Sequence, residues 1–512
     1  MLTQPLLRTQ EYNISVPVDH FHNDSKYAPH SNGSFDLRYW FDASHYQKGG
    51  PVIVLQGGET PADTRLPYLQ KGLLAQLAQA THGIGVVLEH RYYGTSFPTP
   101  DLSTKNLRFL TTQQALADTA YFARNVKFEG LEKLDLTSKS TAYIGYGGSY
   151  AGAYNALLRV TYPEIFWGTI SSSGVTEAIW DYWAYYEPIA QYAPPACIAA
   201  QRTLTHVVDN ILIGKNDSKL TTTLKSAFQM AGITYTQDFT SALSSGISQW
   251  QSLNWDPAVS SPEFFNYCNN ISSTEVLFPA TEKLRNTASY LIEQGGYSCN
   301  ESFTNQMLNY IGYVNLTLVQ PCVSSDQTLD ECYSQLNSTF YQQDDYSQQT
   351  WRSWGYQYCT EWGFLQTGSG VPKDQLPLIS RTIDIPYSST ICREAFNLDT
   401  PADVSIINQY GGYNISYPRL AIIDGEADPW RLATPHAFGY GAKNRTSTVD
   451  EPFILIGGNA VHHWDENGLF PNQTTTNLPP QPVAKTQRQE VQFVKKWMKD
   501  WQTYCSIVGG CT

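Results

Sequence analysis

One hexapeptide constrains the fold of this chain more than any other feature: Gly147-Gly148-Ser149-Tyr150-Ala151-Gly152, between an apolar run and a helical one. A serine on a sharp turn from strand to helix is strained, so its neighbours must be small for the two elements to pack closely. The usual pattern has glycine two residues after the serine. Ala151 stands there and Gly152 follows, a tolerable change because alanine is still small. The motif predicts a nucleophile elbow with Ser149 at its tip.

Short β-branched runs that end in glycine precede this motif in the chain. The runs at 51–58, 83–94 and 141–148 are typical of strands, and threonines that suit an N-cap open a predicted helix over 111–128. A further helix and strand follow the third run. This alternation predicts a parallel sheet with helices on both faces, in which sites form at the carboxyl ends of strands.

The pattern changes in the middle of the chain. Residues 175–400 are rich in Tyr, Trp, Ser and Gln, hold seven of the nine cysteines and show helical stretches without β-branched strands between them. The strand signature resumes at 419–430 and 452–468, before a final amphipathic helix. We therefore expect an α/β domain made of residues 1–174 and 401–512, with an inserted, mainly helical, disulfide-bonded cap domain at 175–400.

A serine nucleophile needs a histidine base that a carboxylate orients. In α/β-hydrolases the acid follows one late strand and the histidine follows the last. This chain has that order, because Asp428 comes after RLAIIDGEA and His462-His463 come after PFILIGGNAV. Asp424 and Glu426 compete with Asp428, but the loop position of Asp428 suits a triad acid better. The chemistry of the two histidines does not separate them.

Two backbone amides are expected to stabilise the oxyanion of the reaction. One is the amide after the nucleophile, from Tyr150, and the other comes from the glycine loop Gln56-Gly57-Gly58-Glu59, where Gly58 is the candidate donor. Glu59 has two alternative uses. A carboxylate beside this loop would bind a free amino group of a substrate, although hydrogen bonding within the loop is the more ordinary use.

Glycosylation signals and cysteines predict a secreted protein. Nine cysteines without zinc-type spacing favour disulfide bonds, and their odd number leaves at least one unpaired within the chain. The opening MLTQPLLRTQ lacks an apolar signal region, so a signal peptide is expected to have been removed. The expected location is extracellular, with lysosome or vacuole as the alternative. N-linked glycan acceptors occur at Asn13, Asn23, Asn32, Asn216, Asn270, Asn300, Asn315, Asn337, Asn414, Asn444 and Asn472.

Charge and hydropathy exclude several classes of partner. The formal net charge of −13, without a basic run, disfavours nucleic acid and anionic membranes. No stretch of eighteen apolar residues occurs, so we expect no membrane span. No cofactor or metal is predicted.

Six motifs, in order along most of the chain, resemble the family of lysosomal prolyl carboxypeptidase and dipeptidyl peptidase II, and most closely its secreted fungal prolyl endopeptidases. The resemblance implies Ser149 as nucleophile, Asp428 as acid, His462 as base, a helical disulfide-bonded cap, and cleavage on the carboxyl side of proline. The chain departs from the family pattern in two places. It has Gly58 where relatives commonly carry Asn, and its histidine motif reads HHWD where they often have HHLD. The six motifs are the GGE loop, EHRYYGTS, GGSYAG, YQYCTEWG, DGEADPW and AVHHWD.

The mode of attack stays open between endopeptidase, carboxypeptidase and dipeptidase, and we expect an acid-active endopeptidase that acts on proline-containing peptides or proteins. A carboxylesterase or lipase is disfavoured because an HGGG loop is absent, and a catalytically silent scaffold because all three triad candidates are present. Proline lacks an N–H, so its pocket should be aromatic and free of unpaired acceptors. The aromatic candidates are Trp430, Trp464, Tyr150, Trp351 and Trp354.

Overall fold

A mixed eight-stranded sheet forms the centre of the protein in a computed structural model that describes residues 10–336, 338–470, 472–508 and 511. Its strand order is β1-β2-β4-β3-β5-β6-β9-β10. The strands are β1 Tyr12–Pro17, β2 Ser34–Asp42, β3 Val52–Gln56, β4 Ile84–Leu88, β5 Tyr143–Gly148, β6 Gly168–Ser172, β9 Leu420–Gly425 and β10 Phe453–Ile456, with β7 Ile179–Asp181 and β8 Gly363–Leu365 outside this sheet.

Six strands of the sheet, β3 to β6, β9 and β10, are parallel to one another, which confirms the strands predicted from the apolar runs. The expectation of a purely parallel sheet was wrong at one edge. There β1 pairs antiparallel with β2, and β2 pairs antiparallel with β4. Because β1 and β2 follow each other through one loop, they join as a hairpin that needs no crossover helix.

Helices cover both faces of the sheet and fill the middle of the chain. The predicted helix over 111–128 is present as α3, with Thr111 as its N-cap, whose side chain accepts from the Gln114 amide. The helices are α1 Gly72–Thr81, α2 Thr104–Leu107, α3 Thr112–Asn125, α4 Tyr150–Thr161, α5 Tyr186–Tyr192, α6 Pro195–Asp209, α7 Ser218–Ala227, α8 Thr236–Leu243, α9 Glu263–Ser272, α10 Arg285–Gln294, α11 Glu301–Val314, α12 Gln320–Ser324, α13 Leu329–Tyr333, α14 Ser338–Tyr341, α15 Gln349–Gln357, α16 Ile385–Ser388, α17 Thr390–Phe396, α18 Ser405–Asn408 and α19 Gln481–Val508.

Helices α5 to α18 form an insertion between β6 and β9 in the chain. This region is not free of strands, contrary to the sequence-based expectation, because β7 and β8 pair in parallel at its base. These strands have three residues each, too few for a periodic apolar signal to appear. The domain boundaries near residues 174 and 400 stay a prediction.

Four disulfide bonds confirm the interpretation of the cysteines. Three lie in the helical insertion, Cys197–Cys268, Cys322–Cys332 and Cys359–Cys392, and the fourth, Cys505–Cys511, lies at the carboxyl end. The odd cysteine is Cys299, which is half-buried and has a free thiol.

The glycan acceptors fall on the surface wherever the structure describes them. Ten of the eleven asparagines are exposed or half-exposed, and Asn337 lies outside the described residues. Asn300 caps α11 through its side-chain oxygen, which leaves its amide nitrogen available. None of the described helices is both long and apolar enough to span a bilayer.

Candidate active site

Ser149 stands on the sharp turn between β5 and α4. Its backbone is strained, with φ 62° and ψ −129°, a conformation that residues with a side chain rarely adopt. Small neighbours make the turn possible, since a Cβ on Gly147 would lie 2.6 Å from the Ala151 carbonyl oxygen. The turn lifts the serine hydroxyl above the carboxyl end of the sheet, as the elbow motif predicts.

The structure brings Ser149, His462 and Asp428 into one hydrogen-bonded chain. The Nε2 of His462 lies 2.8 Å from the Ser149 hydroxyl, and its Nδ1 lies 2.8 Å from Oδ2 of Asp428. Since an ionised carboxylate only accepts hydrogen bonds, the proton belongs on Nδ1 and the serine hydroxyl donates to Nε2. This arrangement allows the imidazole to take the serine proton.

Asp428 is fully buried and stays ionised. Burial alone would raise its pKa, but the neighbouring His462 and the hydrogen bonds from Ser173 and the Trp430 amide outweigh burial and hold the pKa of Asp428 below its ordinary value. One of these contacts, from the Trp430 amide to Oδ1 of Asp428, measures 2.9 Å. A carboxylate fixed in this way orients the imidazole.

The other candidates for the acid and the base of the triad have other hydrogen-bond partners. Asp424 pairs with Nδ1 of His436 at 2.6 Å, and Glu426 accepts from the Asn459 amide at 2.7 Å. His463 turns away from Ser149, and its Nδ1 lies 3.1 Å from Oε2 of Glu466. Burial alone would lower the pKa of His463, but the charge of Glu466 raises it above the ordinary value.

Two backbone amides near the elbow have no hydrogen-bond acceptor in the described part of the chain. Tyr150 is the first residue of α4, where an amide has no acceptor within the helix. In the glycine loop, the Gly57 amide donates to Leu88 at 2.8 Å, whereas the Gly58 amide is unpaired among the described residues. Gly58 has φ +72° and lies beside Ala151 of the elbow. The loop predicted from the sequence therefore faces the elbow with a free donor.

Glu59 is half-buried, and its carboxylate makes no hydrogen bond within the described residues, so the expected bonding inside the loop is not present. Its charge acts on the hydroxyls of Tyr93 and Tyr150 and on Arg65. A carboxylate without a hydrogen-bond donor near the nucleophile stays available to a substrate group.

A buried network that the sequence analysis did not identify holds the Tyr150 side chain. Because His90 Nδ1 donates to the Arg91 carbonyl at 2.7 Å, its Nε2 accepts from the Tyr150 hydroxyl at 3.0 Å. Gln357 donates to the same hydroxyl at 2.8 Å. Burial lowers the pKa of His90 to about 4, so it stays neutral in mild acid. The signal for this network was in the EHRYYGTS and YQYCTEWG motifs, which contribute these residues.

A cavity of about 340 Å³ lies in the helical insertion, and Trp430 of the loop after β9 also lines it. Its lining mixes aromatic rings with serine and glutamine side chains. Trp430 and Trp354 line it, as does Phe364 in β8. The ring centroid of Trp430 lies 6.5 Å from that of His462, and the centroid of Trp354 lies 5.4 Å from that of Tyr150. The cavity wall thus contacts both the imidazole and the elbow.

The orientation of Trp430 is fixed by its neighbours. Its ring stacks on Tyr182 at 5.4 Å between centroids, and its indole nitrogen donates to Gln251 at 2.8 Å. The other three aromatic candidates, Tyr150, Trp351 and Trp464, do not line the cavity. Trp351 packs against Phe340 and Tyr341, and the Trp464 indole donates to the Leu253 carbonyl. Amphipathic aromatic rings fill structural positions as readily as binding positions.

Within the described residues, the only group of His, Cys, Asp and Glu side chains spaced for a metal ion lies elsewhere, in the loop after β1. The described residues of the candidate site offer the chemistry of a serine, an imidazole and backbone amides.

Comparison with known proteins gives consistent matches. The profile of the family described as serine carboxypeptidase S28 matches residues 17–476. A probable extracellular serine carboxypeptidase of Arthroderma benhamiae is 53% identical over 502 residues, covering 97% of this chain and 69% of the relative. The thymus-specific serine protease of Mus musculus is 25% identical over 95% of this chain and 87% of its own. A solved proline iminopeptidase of Mycobacterium smegmatis, 13% identical, covers 96% of this chain and 99% of its own with a TM-score of 0.36, too low for further argument.

Proposed function

The chain belongs to the serine carboxypeptidase S28 family, and from that premise we propose that it hydrolyses peptide bonds on the carboxyl side of proline, as an acid-active endopeptidase. It is a secreted serine peptidase with an α/β-hydrolase fold. One observation carries the proposal: the hydrogen-bonded chain from Ser149 through His462 to Asp428 lies next to Trp430, which lines a cavity and whose ring centroid is 6.5 Å from that of His462.

In the proposed mechanism Ser149 is the nucleophile. Its hydroxyl oxygen attacks the substrate carbonyl carbon while Nε2 of His462 takes the proton, and Asp428 stabilises the imidazolium that forms. His462 then gives the proton to the leaving amine, and an acyl-enzyme remains on Ser149. Water, activated by the same imidazole, releases the acid product and restores the serine.

The negative charge of the tetrahedral intermediate needs donors that are already in place. We assign this role to the amides of Tyr150 and Gly58, which have no hydrogen-bond acceptor among the residues that the structure describes. His90 and Gln357 are positioning residues in this scheme, because they fix the Tyr150 side chain and with it the start of α4.

The cavity supports a preference for proline. A pyrrolidine ring is apolar and carries no N–H, so it needs flat apolar walls more than hydrogen-bond acceptors. We assign Trp430, Trp354 and Phe364 as those walls. Gln251 and Tyr182 support this assignment, because they hold the Trp430 ring in one orientation before substrate arrives.

Charge near the site supports attack on internal bonds. None of the described residues that line the cavity is charged, so the cavity holds no anchor for a terminal carboxylate or amine. The competing proposal, cleavage of substrates with a free amino end, rests on Glu59, whose carboxylate has no hydrogen-bond partner within the described residues. Glu59 is thus the residue that distinguishes the two modes.

Work in acid is supported by His90. With a pKa of about 4, His90 still accepts the hydrogen bond from the Tyr150 hydroxyl at pH 5. An imidazole of ordinary pKa would be protonated at that pH and would lose this hydrogen bond. The orientation of Tyr150 is therefore insensitive to pH through the mildly acidic range.

The experiment uses three peptides: one with both ends blocked and a single internal proline, the same peptide with alanine in that place, and the proline peptide with free ends. Mass spectrometry of the products at pH 5 should show cleavage after proline in the blocked peptide and little cleavage of the alanine peptide. Turnover confined to the free-ended peptide would replace endopeptidase action by exopeptidase action. Equal cleavage of the proline and alanine peptides would contradict proline specificity.

Glu59→Gln is the matched variant. For an endopeptidase it leaves turnover of the blocked peptide nearly unchanged, because no charged substrate end needs binding. If Glu59 binds a free amino group instead, the variant loses turnover of the free-ended peptide selectively, through a raised KM.

A further inference from the structure

The loop between β1 and β2 brings an aspartate and two histidines together, outside the proposed active site. Asp19, His22 and His30 each offer one possible ligand atom, and these three atoms lie within 4.8 Å of one another. β1 is the edge strand of the sheet, four strands away from β5 and its elbow. A role for this group is therefore separate from hydrolysis.

The carboxylate of Asp19 is held rigidly. Its Oδ1 accepts from the Phe21 amide at 2.9 Å and from the Gln114 side chain of α3 at 2.8 Å. Its Oδ2 faces outward and lies 2.7 Å from Nδ1 of His30. Asp19 is only 1% exposed, whereas both histidines reach the surface. One oxygen of a buried, immobile carboxylate is thus aimed at two imidazoles.

The charge of this carboxylate is poorly compensated. A buried carboxylate in a folded protein is normally paired with a cation. In the part of the chain that the structure describes, no lysine or arginine pairs with Asp19, and its ion-pair partner is His30. An imidazole is not a permanent cation, so a bound metal ion would supply the fixed positive charge that this buried carboxylate lacks.

We propose that Asp19, His22 and His30 bind a divalent transition-metal ion of the zinc type, with water as a fourth ligand. Imidazole nitrogen and carboxylate oxygen bind zinc at 2.0–2.1 Å, which sets ligand atoms about 3.3 Å apart in a tetrahedron. The present spread of up to 4.8 Å closes when the exposed His22 ring turns inward by an ångström or two. His30 would bind the ion through Nδ1 as a neutral imidazole with its N–H on Nε2, and the coordinate bond takes the place of the hydrogen bond between Nδ1 and Asp19.

The bound ion cross-links the two ends of the loop. His22 and His30 lie on either side of the turn Ser25–Tyr27, and their ring centroids are 5.5 Å apart. Tyr27 anchors that turn through its buried ring, and Arg108 donates to the Pro29 carbonyl at 2.7 Å. An ion that joins the two histidines to Asp19 closes the remaining side of this loop and stabilises the folded state.

The test is a calorimetric titration of the metal-free full chain with Zn²⁺ at pH 7.5. The wild type should bind one equivalent of Zn²⁺. The double variant His22→Ala/His30→Ala should bind Zn²⁺ at least tenfold more weakly than the wild type. His45→Ala, which removes another exposed histidine, is the matched control and should bind like the wild type. Asp19→Asn is a poorer choice, because Asp19 also holds the Phe21 amide and Gln114 of the scaffold.

Peptide hydrolysis is measured beside binding. The double variant should retain wild-type turnover, which shows that it folds. Zinc binding of unchanged stoichiometry and affinity in the double variant overturns the proposal, as does the absence of binding to the wild type at 100 µM Zn²⁺. Zinc that inhibits both proteins equally at one equivalent also overturns it, because the ion would then sit at the histidines of the active site.

Discussion

A buried pair of carboxyl groups, Asp465 and Glu490, should stabilise the folded protein less at neutral pH than in acid. Glu490 of α19 is fully buried, and neither of its oxygens has a hydrogen-bond donor among the described residues. Burial, and next the negative charge of Asp465, raise the pKa of Glu490 well above its ordinary value. Burial likewise raises the pKa of Asp465 to about 6, although the Ser172 hydroxyl donates to it at 2.5 Å.

The sign and size of the effect follow from proton linkage. A carboxyl group whose pKa is raised by folding binds more protons in the folded state, so stability falls as pH rises from the unfolded pKa to the folded one. For Asp465 this window runs from 3.8 to about 6. At 1.36 kcal/mol per pKa unit, the shift corresponds to about 3 kcal/mol of unfolding free energy lost by neutral pH. Glu490 extends the loss to higher pH.

Glu490→Gln removes the second acid while preserving its shape, and its amide donates to Asp465. We expect little change in stability at pH 4, where Glu490 is protonated and neutral, and a gain at pH 7 of about 1–3 kcal/mol, the usual cost of a buried polar group without a hydrogen-bond donor. Urea unfolding followed by tryptophan fluorescence at pH 4, 5.5 and 7 measures both. The control is Asp500→Asn on the same helix, where the carboxylate is exposed and pairs with Lys496. A variant equally destabilised at every pH, or unchanged at pH 7, would refute the reasoning.

The remaining predictions concern the active site and use initial rates on the end-blocked proline peptide. His462→Ala should lower kcat at least about 10³-fold while His463→Ala has a mild effect, and the reverse order would reassign the base. Asp428→Asn should lower kcat on the order of 10⁴-fold, because the imidazole loses its oriented tautomer; a loss below tenfold would contradict that role. Trp430→Ala should lower the kcat/KM ratio of the proline peptide to the alanine peptide about 10- to 100-fold, and an unchanged ratio would exclude Trp430 from the pocket.

Local patterns in the sequence predict the half of the fold that surrounds Ser149. The elbow and the strands β3 to β6 are encoded in short runs whose period and glycine endings are local signals. The edge hairpin of β1 and β2 escaped prediction, although YNISVP alternates polar and apolar residues, because it precedes the glycine-ended runs that define the alternation. Strands β7 and β8 are too short for any periodic signal.

Some residues of the active site can likewise be predicted from the sequence and others cannot. Position in the loop was enough to favour Asp428 over Asp424, which pairs with His436. Sequence chemistry did not separate His462 from His463, because their difference lies in backbone direction: His463 has φ 37°, which turns its side chain toward Glu466. The pair of Asp465 and Glu490 joins a loop to a distant helix, and such a contact has no local signature.

The most direct test of the proposed chemistry is active-site labelling with a fluorophosphonate, followed by peptide mapping. The label should form a covalent adduct at Ser149 and at no other serine, at a rate that falls when His462 is replaced by alanine. Ser149→Ala should remain unlabelled and inactive while its circular dichroism and urea midpoint match the wild type, since only the nucleophile is lost. An adduct on another serine, or peptide turnover retained by Ser149→Ala, would contradict the assignment of Ser149 as the nucleophile.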